Sequence, residues 1–170
     1  MIHQSPNYKI IISITLILLI IGVFHQTPAD TLNLPIGQIT VIRNGEVNRI
    51  RLTFDLSALN NKRVDYAEIL IPHFLTNGRI VLEAWRLTSG NTNNYDSTYR
   101  VRFTAKASVN LPAALDITEF VKYWVDNGNN HGVLLKRPNY EGGSFRGELQ
   151  SLRQALSNAR LRVFFTKESE

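Results

Sequence analysis

The sequence predicts an all-β fold: an antiparallel β-sandwich with one short helix, preceded by an N-terminal hydrophobic export segment. Three observations carry this expectation. Apolar and polar residues alternate with period two along most of the chain after residue 30. Asn/Gly clusters separate the alternating runs, as turns between short strands would. A helical period stands out clearly in LDITEFVKYWVDNGNNHGVLLK, from Leu115 to Lys136. Short strands with turn signals and one such helix favour a sandwich over an alternating α/β arrangement.

Residues 1–29 stand apart. Ile10 to Phe24 is almost wholly apolar and follows Lys9 and the amino terminus, which is the pattern of a secretory signal peptide. The run falls just short of the roughly 20 residues that span a bilayer, and Thr27-Pro28-Ala29 offers small residues for cleavage before Asp30. Retention as an N-terminal membrane anchor is the alternative, and membrane contact is expected only in that case. The expected location is secreted, periplasmic or cell-surface. Residues 30–170 are about the right length for a single β-sandwich domain that buries about two thirds of its unfolded surface. The chain has no Cys, so packing rather than disulfides must hold it together.

The elements follow in order. Ile36 to Ile42 and Asn48 to Phe54 read as strands joined through Arg43-Asn44-Gly45-Glu46, whose Asn-Gly pair marks a hairpin. Tyr66 to Leu75 and Arg79 to Leu87 read as a second hairpin around Thr76-Asn77-Gly78, with Pro72 weakening the end of the first strand. Ser89 to Asp96, SGNTNNYD, reads as an exposed loop. From Tyr99 to Ala107 the phase is plain: Tyr99, Val101, Phe103 and Ala105 face inward, while Arg100, Arg102, Thr104 and Lys106 face water. A short strand then enters the helix Asp116 to Val125, whose apolar stripe is Ile117, Phe120, Val121, Trp124 and Val125. Asp116 or Thr118 caps its start, and Asp126-Asn127-Gly128-Asn129-Asn130 ends it. Gly132 to Lys136 is a short apolar strand, and Ala159 to Phe165 alternates as the last one. SLRQALSN, before it, fits either a helical turn or a hairpin connection.

The net charge is +5. Its basic residues sit at every second position in RIRLTFDL and YRVRFTAK, which describes solvated sheet faces rather than a dense basic stripe with stacking aromatics. No nucleic-acid partner is expected, whereas attraction to acidic glycans or lipid headgroups fits the charge. Past residue 29 the histidines are His73 and His131, too few and too far apart for a zinc site, and no HExxH, GxSxG or SxxK spacing occurs. The chain is therefore not expected to be an enzyme. A small polysaccharide hydrolase or lyase is the alternative, and it needs His73 or His131 beside a tyrosine or carboxylate in a cleft. No cofactor is expected, with structural calcium as the alternative: Asp96, Asp126 and Glu141 lie in or beside Asn/Gly-rich loops that can add oxygen ligands. Trp85 and Trp124 fall at core positions, so the candidate ligand-binding residues are Tyr95 and Tyr140 in polar loops, with Arg100, Arg102 and His131.

RLTFDLSAL (51–59), VDYAEILI (64–71), the 115–136 segment, SFRGE (144–148) and ARLRVFF (159–165) together resemble the DNRLRE-type extracellular domain. That group is related to alginate-type carbohydrate-binding modules and looks like the TGF-beta propeptide fold. The resemblance covers residues 35–166. It implies a jelly-roll-like module of secreted and surface proteins, with Phe54 and Leu56 in the core and Asp55 and Ser57 at the strand exit. It also implies that Ile117, Val121 and Trp124 face inward, that Asn130 and Gly132 shape the return to Leu134, and that Phe145 and Glu148 precede the last strand. The neutral TLNLPIGQIT start and the short SGNTNNYD loop depart from the family's pattern. The expected function is a noncatalytic, exported structural or interaction module at the cell envelope or outside the cell, its partner an envelope or extracellular protein or polysaccharide. The alternative is a carbohydrate-binding module for polysaccharides, anionic ones included.

Overall fold

The longest strand, β1 (Asp30–Asn44), changes neighbours partway along. Asp30 to Pro35 pairs with β8 (Arg160–Lys167), and from Ile36 onward β1 pairs with β2 (Val47–Phe54). A register shift between Ile36 and Gln38 marks the change, and such an irregularity bends a strand. The computed structural model describes residues 29–44, 47–72, 80–91, 93–105, 112–139, 145 and 149–167.

On one side of β1 the sheet continues through β2, β7 (Val133–Lys136), β4 (Ile80–Leu87) and β5 (Tyr95–Ala105). On the other it continues through β8, β3 (Lys62–Ile71) and β6 (Ala113–Asp116). Among the described residues this is one sheet of eight strands, ordered β5-β4-β7-β2-β1-β8-β3-β6, with every neighbouring pair antiparallel. It curves into a half-barrel whose end strands, β5 and β6, approach each other. Two short helices complete it, α1 (Thr118–Asn127) and α2 (Leu149–Ser157).

Alternation sends one side of every strand to a common core. Ile50, Leu52 and Phe54 of β2, Leu82 and Ala84 of β4, and Val133 and Leu135 of β7 share it with Val64, Ala67 and Ile69 of β3 and Leu161 and Val163 of β8. Removing such side chains from water contributes about 1.5–3 kcal/mol each before entropy is set against it. α1 lies against β3 and adds Phe120, Val121 and Trp124 to this core. The Trp124 ring packs against Phe120 and Phe54 at centroid distances of 6.1 and 6.2 Å.

The start of α1 is stitched to β3. The Ile117 N–H donates to the Ala67 carbonyl at 2.9 Å, and the Thr118 hydroxyl accepts the Ala67 N–H at 3.0 Å while donating to Asp116 Oδ1 at 2.6 Å. Asp116 Oδ1 also accepts the Thr118 N–H at 2.9 Å, which satisfies an otherwise orphaned helix amide. The helix ends at Gly128, in the left-handed region with φ 67°, whose N–H returns to the Trp124 carbonyl at 2.9 Å.

Asn130 then turns the chain into β7 by donating to the Phe54 carbonyl at 2.8 Å and accepting the Gly132 N–H at 3.1 Å. Asp55 shapes the exit of β2 in a similar way, accepting the Ser57 N–H at 2.9 Å. That bond holds the Asp55 carboxyl below its ordinary range. Phe145, fully buried, is tied to β2 by reciprocal bonds with Asn48.

Four expectations change. β3 and β4 do not form a hairpin: β3 pairs with β6 and β8, and β4 with β5 and β7, so both edges of each are already occupied. The turn between them, with His73, lies outside the described residues. β3 stops at Ile71 because Pro72 has no N–H to continue the ladder. Tyr95 and Asp96 belong to β5 rather than to a loop, since Tyr95 pairs with Leu87. Two α-helices occur among the described residues, where one was expected. In α2 Leu152, Ala155 and Leu156 recur at helical spacing and are buried. Residues 1–28 of the expected export segment 1–29, and Glu148, lie outside the described residues, among which no helix is long and apolar enough to cross a membrane.

Gly132 and Gly128 provide a paired test of this framework. Gly132 has φ +93°, and a Cβ there would stand 2.2 Å from the Leu52 carbonyl oxygen, whereas one on Gly128 meets nothing within 4 Å. Gly128→Ala should cost about 1 kcal/mol, the conformational penalty alone. Gly132→Ala should cost about 3 kcal/mol or more, because strain and a backbone clash combine. Urea unfolding midpoints of the two variants check the ordering.

Candidate functional site

On the half of the sheet built from β5, β4, β7 and β2, the side chains that face away from the core form two rows. The pairings Glu83↔Arg102 and Glu83↔Lys136 place Arg102, Glu83 and Lys136 in line across three strands. Arg49 continues that line, because its neighbour Ile50 pairs with Leu135. The pairings Trp85↔Arg100, Trp85↔Leu134 and Arg51↔Leu134 set Arg100, Trp85, Leu134 and Arg51 in the second row.

Glu83 is the centre of the first row. Its side chain is 3% exposed, and Arg102 donates to it at 2.9 Å. Arg100 stands at 3.7 Å and Lys136 at 4.0 Å. Among the described residues, Arg100, Arg102 and Lys136 thus gather around one buried carboxylate, with Arg49 beside Lys136 in the row. Lys136 is as buried as Glu83, and burial pulls its ammonium below the ordinary lysine range. The Glu83 charge opposes that effect, while Arg49 and Arg100 add to it. The Lys136 ammonium also donates to Asn139 Oδ1 at 3.1 Å.

The second row is aromatic and basic. Trp85, Leu87 and Leu134 form a small apolar cluster separate from the main core, with Ile42 and Tyr95 packed against it. Tyr95 meets Trp85 edge-on, with centroids 4.8 Å apart. Trp85 is therefore buried as expected, but on the outer side of the sheet. Arg51 is anchored by bonds to the His131 carbonyl at 2.9 and 3.2 Å and to the Gly90 carbonyl at 3.3 Å. His131 reaches this neighbourhood through its backbone oxygen.

Of the residues singled out in the sequence, Tyr95, Arg100 and Arg102 converge on this face, with His131 at its margin. Tyr140 and Glu141 lie outside the described residues. Asp96 forms an ion pair with the buried Arg86 at 2.5 Å, and the Arg86 guanidinium stacks 3.5 Å from the Tyr123 ring of α1. Asp126 lines a cleft of about 320 Å³ with Lys62, Arg63, Asp65 and Lys122. No group of three or more acidic, His or Cys side chains able to hold a metal ion occurs among the described residues.

A larger cleft, about 540 Å³, opens where β5 and β6 approach; Tyr66, Val101, Asp116, Glu119 and Phe120 line it with Arg100. The Tyr66 hydroxyl donates to Glu68 Oε2 at 2.8 Å, and Glu68 is gripped by Arg162, whose Nε lies 2.7 Å from Oε1. Burial, followed by the Glu68 hydrogen bond, pushes the Tyr66 phenol up to about 12. A phenol held protonated in this way is unsuited to act as a base at neutral pH.

Glu83, Lys136, Arg49 and the outward Trp85 were not singled out by sequence reasoning. One signal was present: Trp85 shares its alternation phase with Glu83, whereas Leu82 and Ala84 hold the core phase. The cross-strand row itself has no local signature. In comparison with known proteins, no protein-family model matches this chain, and no curated protein does.

Two variants probe these environments. Glu83→Gln leaves Arg102, Arg100 and Lys136 without their carboxylate and should destabilise the fold by about 2–3 kcal/mol, more at low salt, in denaturant titrations. Tyr66 keeps its proton to about pH 12 in the folded state but only to about 10 in the unfolded chain, so its contribution is complete below 10 and disappears as pH rises toward 12. The stability difference between wild type and Tyr66→Phe should be steady up to about pH 9 and should shrink above about pH 10.

Proposed function

We propose that this chain is a noncatalytic, exported interaction module of the cell envelope or extracellular space, and that its basic sheet face takes an acidic polysaccharide. The observation that supports this best is the cluster of Arg100, Arg102 and Lys136 around the buried carboxylate of Glu83, with Arg49 next in the row. Glu83 restrains the cations around it, and Arg100, at 3.7 Å and 47% exposed, is positioned and still reachable by a ligand. Guanidinium groups bind carboxylate and sulfate oxygens through paired N–H donors. An outer sheet face with charges repeating at strand spacing suits an extended polymer better than a compact small molecule.

The same reading takes the fold as a jelly-roll-like sandwich of the DNRLRE type, with residues 30–170 as its single domain. In support, β1 is shared between two sets of strands whose inner faces meet in one core, Asn130 and Gly132 form the return into β7, and Trp124 faces the core. The apolar run from Ile10 to Phe24 supports export.

A glycan array read at low and physiological salt, followed by calorimetry on the hits, tests this function. Acidic polysaccharides should bind and neutral ones should not. The variant Arg100→Ala should weaken binding by roughly tenfold or more while leaving the unfolding free energy within about 1 kcal/mol, because Arg102 still pairs with Glu83. Failure to bind across all acidic polymers would transfer the role to a protein partner.

A further inference from the structure

Trp85 has an unusual cover for a residue on the outside of a sheet. It is 8% exposed, and the groups over its ring are cations: Lys136 Nζ lies 4.7 Å and Arg100 Cζ 5.5 Å from the ring centre. Its indole N–H is buried and has no hydrogen-bond partner. An indole nitrogen can only donate, so an unpaired one is satisfied only by an incoming acceptor.

The cover is not equally firm. Arg102 makes the short bond to Glu83 at 2.9 Å, whereas Arg100 stands at 3.7 Å, beyond hydrogen-bond range, with nearly half of its side chain in water. Glu83 therefore keeps its principal partner when Arg100 moves. Lys136, by contrast, is buried and bound to Asn139. Arg100 is the hinged part of the cover.

We propose that Trp85 is a concealed sugar-contacting residue of the basic face. The anionic group of an acidic pyranose pairs with Arg100 and draws it off the indole. The apolar C–H face of the same sugar then packs on the exposed ring, and one of its oxygens accepts the indole N–H. This inference rests on the acidic-polysaccharide reading and narrows it to polymers that carry the charge and the ring in one unit. A polyanion without sugar rings can pair with the arginines, but it has nothing to place on Trp85.

The test compares polygalacturonate with polyglutamate, two polycarboxylates of which only the first has pyranose rings, using the full chain. Trp85→Leu should weaken polygalacturonate binding by roughly tenfold and change polyglutamate binding by less than about twofold. In the wild type, polygalacturonate should alter tryptophan emission at saturation, and that response should vanish in Trp85→Leu, where the core residue Trp124 is the remaining tryptophan. If Trp85→Leu does not fold, the wild-type emission titration decides alone. Polygalacturonate binding with silent emission, or with an affinity that Trp85→Leu leaves unchanged, overturns this inference and leaves the basic-face reading intact. Absence of binding to both polymers overturns both.

Discussion

β1 must satisfy β8 along its first part and β2 along its second, and the register shift between Ile36 and Gln38 is where the change is absorbed. The remaining architecture follows from that constraint. A flat eight-stranded sheet would leave both faces in need of cover, whereas a sheet bent at β1 covers its own inner face. Ile50, Leu52 and Leu135 from one arm and Ala67, Ile69 and Leu161 from the other then exclude water together. Phe120 and Trp124 of α1 join them, and the helix is held in place by backbone and hydroxyl bonds to Ala67.

Once the inner faces are committed to one another, strand alternation delivers every second residue to the outside, and the two arms use that surface differently. On the arm containing β3 and β8, Glu68 is gripped by Arg162 and receives the Tyr66 hydroxyl, so its charge is locally answered. On the arm containing β4 and β5, Glu83 has three cations within 4.0 Å. Both arms bury a glutamate on an outer face. They differ in its setting: an arginine and a phenol hold the carboxylate on one, and three cations gather around it on the other, two of them over an indole.

Much of this was legible in the chain. Alternation located β2, β5 and β8, the Asn-Gly pair located the β1–β2 reversal, and the spacing of Phe120, Val121 and Trp124 defined α1. Gly128 marked the helix end because its left-handed conformation is a local property. What was hidden depends on partners distant in sequence. Thr76-Asn77-Gly78 reports that the chain reverses, but not that β3 will pair with β8 and β4 with β7. The Arg102-Glu83-Lys136 line was hidden for the same reason, since three residues on three strands become neighbours only through register. Trp85 was misplaced because its aromatic character pointed inward, whereas its phase with Glu83 pointed outward, and phase prevailed.

The β1–β8 ladder also governs when the molecule can fold. Asp30 pairs with Phe165 and Leu34 with Leu161, so the first described strand finds its neighbour only in the last. Contacts that distant carry a large loop-closure cost and form late. A chain emerging in order from a ribosome therefore has one arm of its sheet incomplete until β8 appears. The topology delays closure of that arm until β8 has been made, which leaves the first part of β1 without its partner for as long as synthesis takes to reach it.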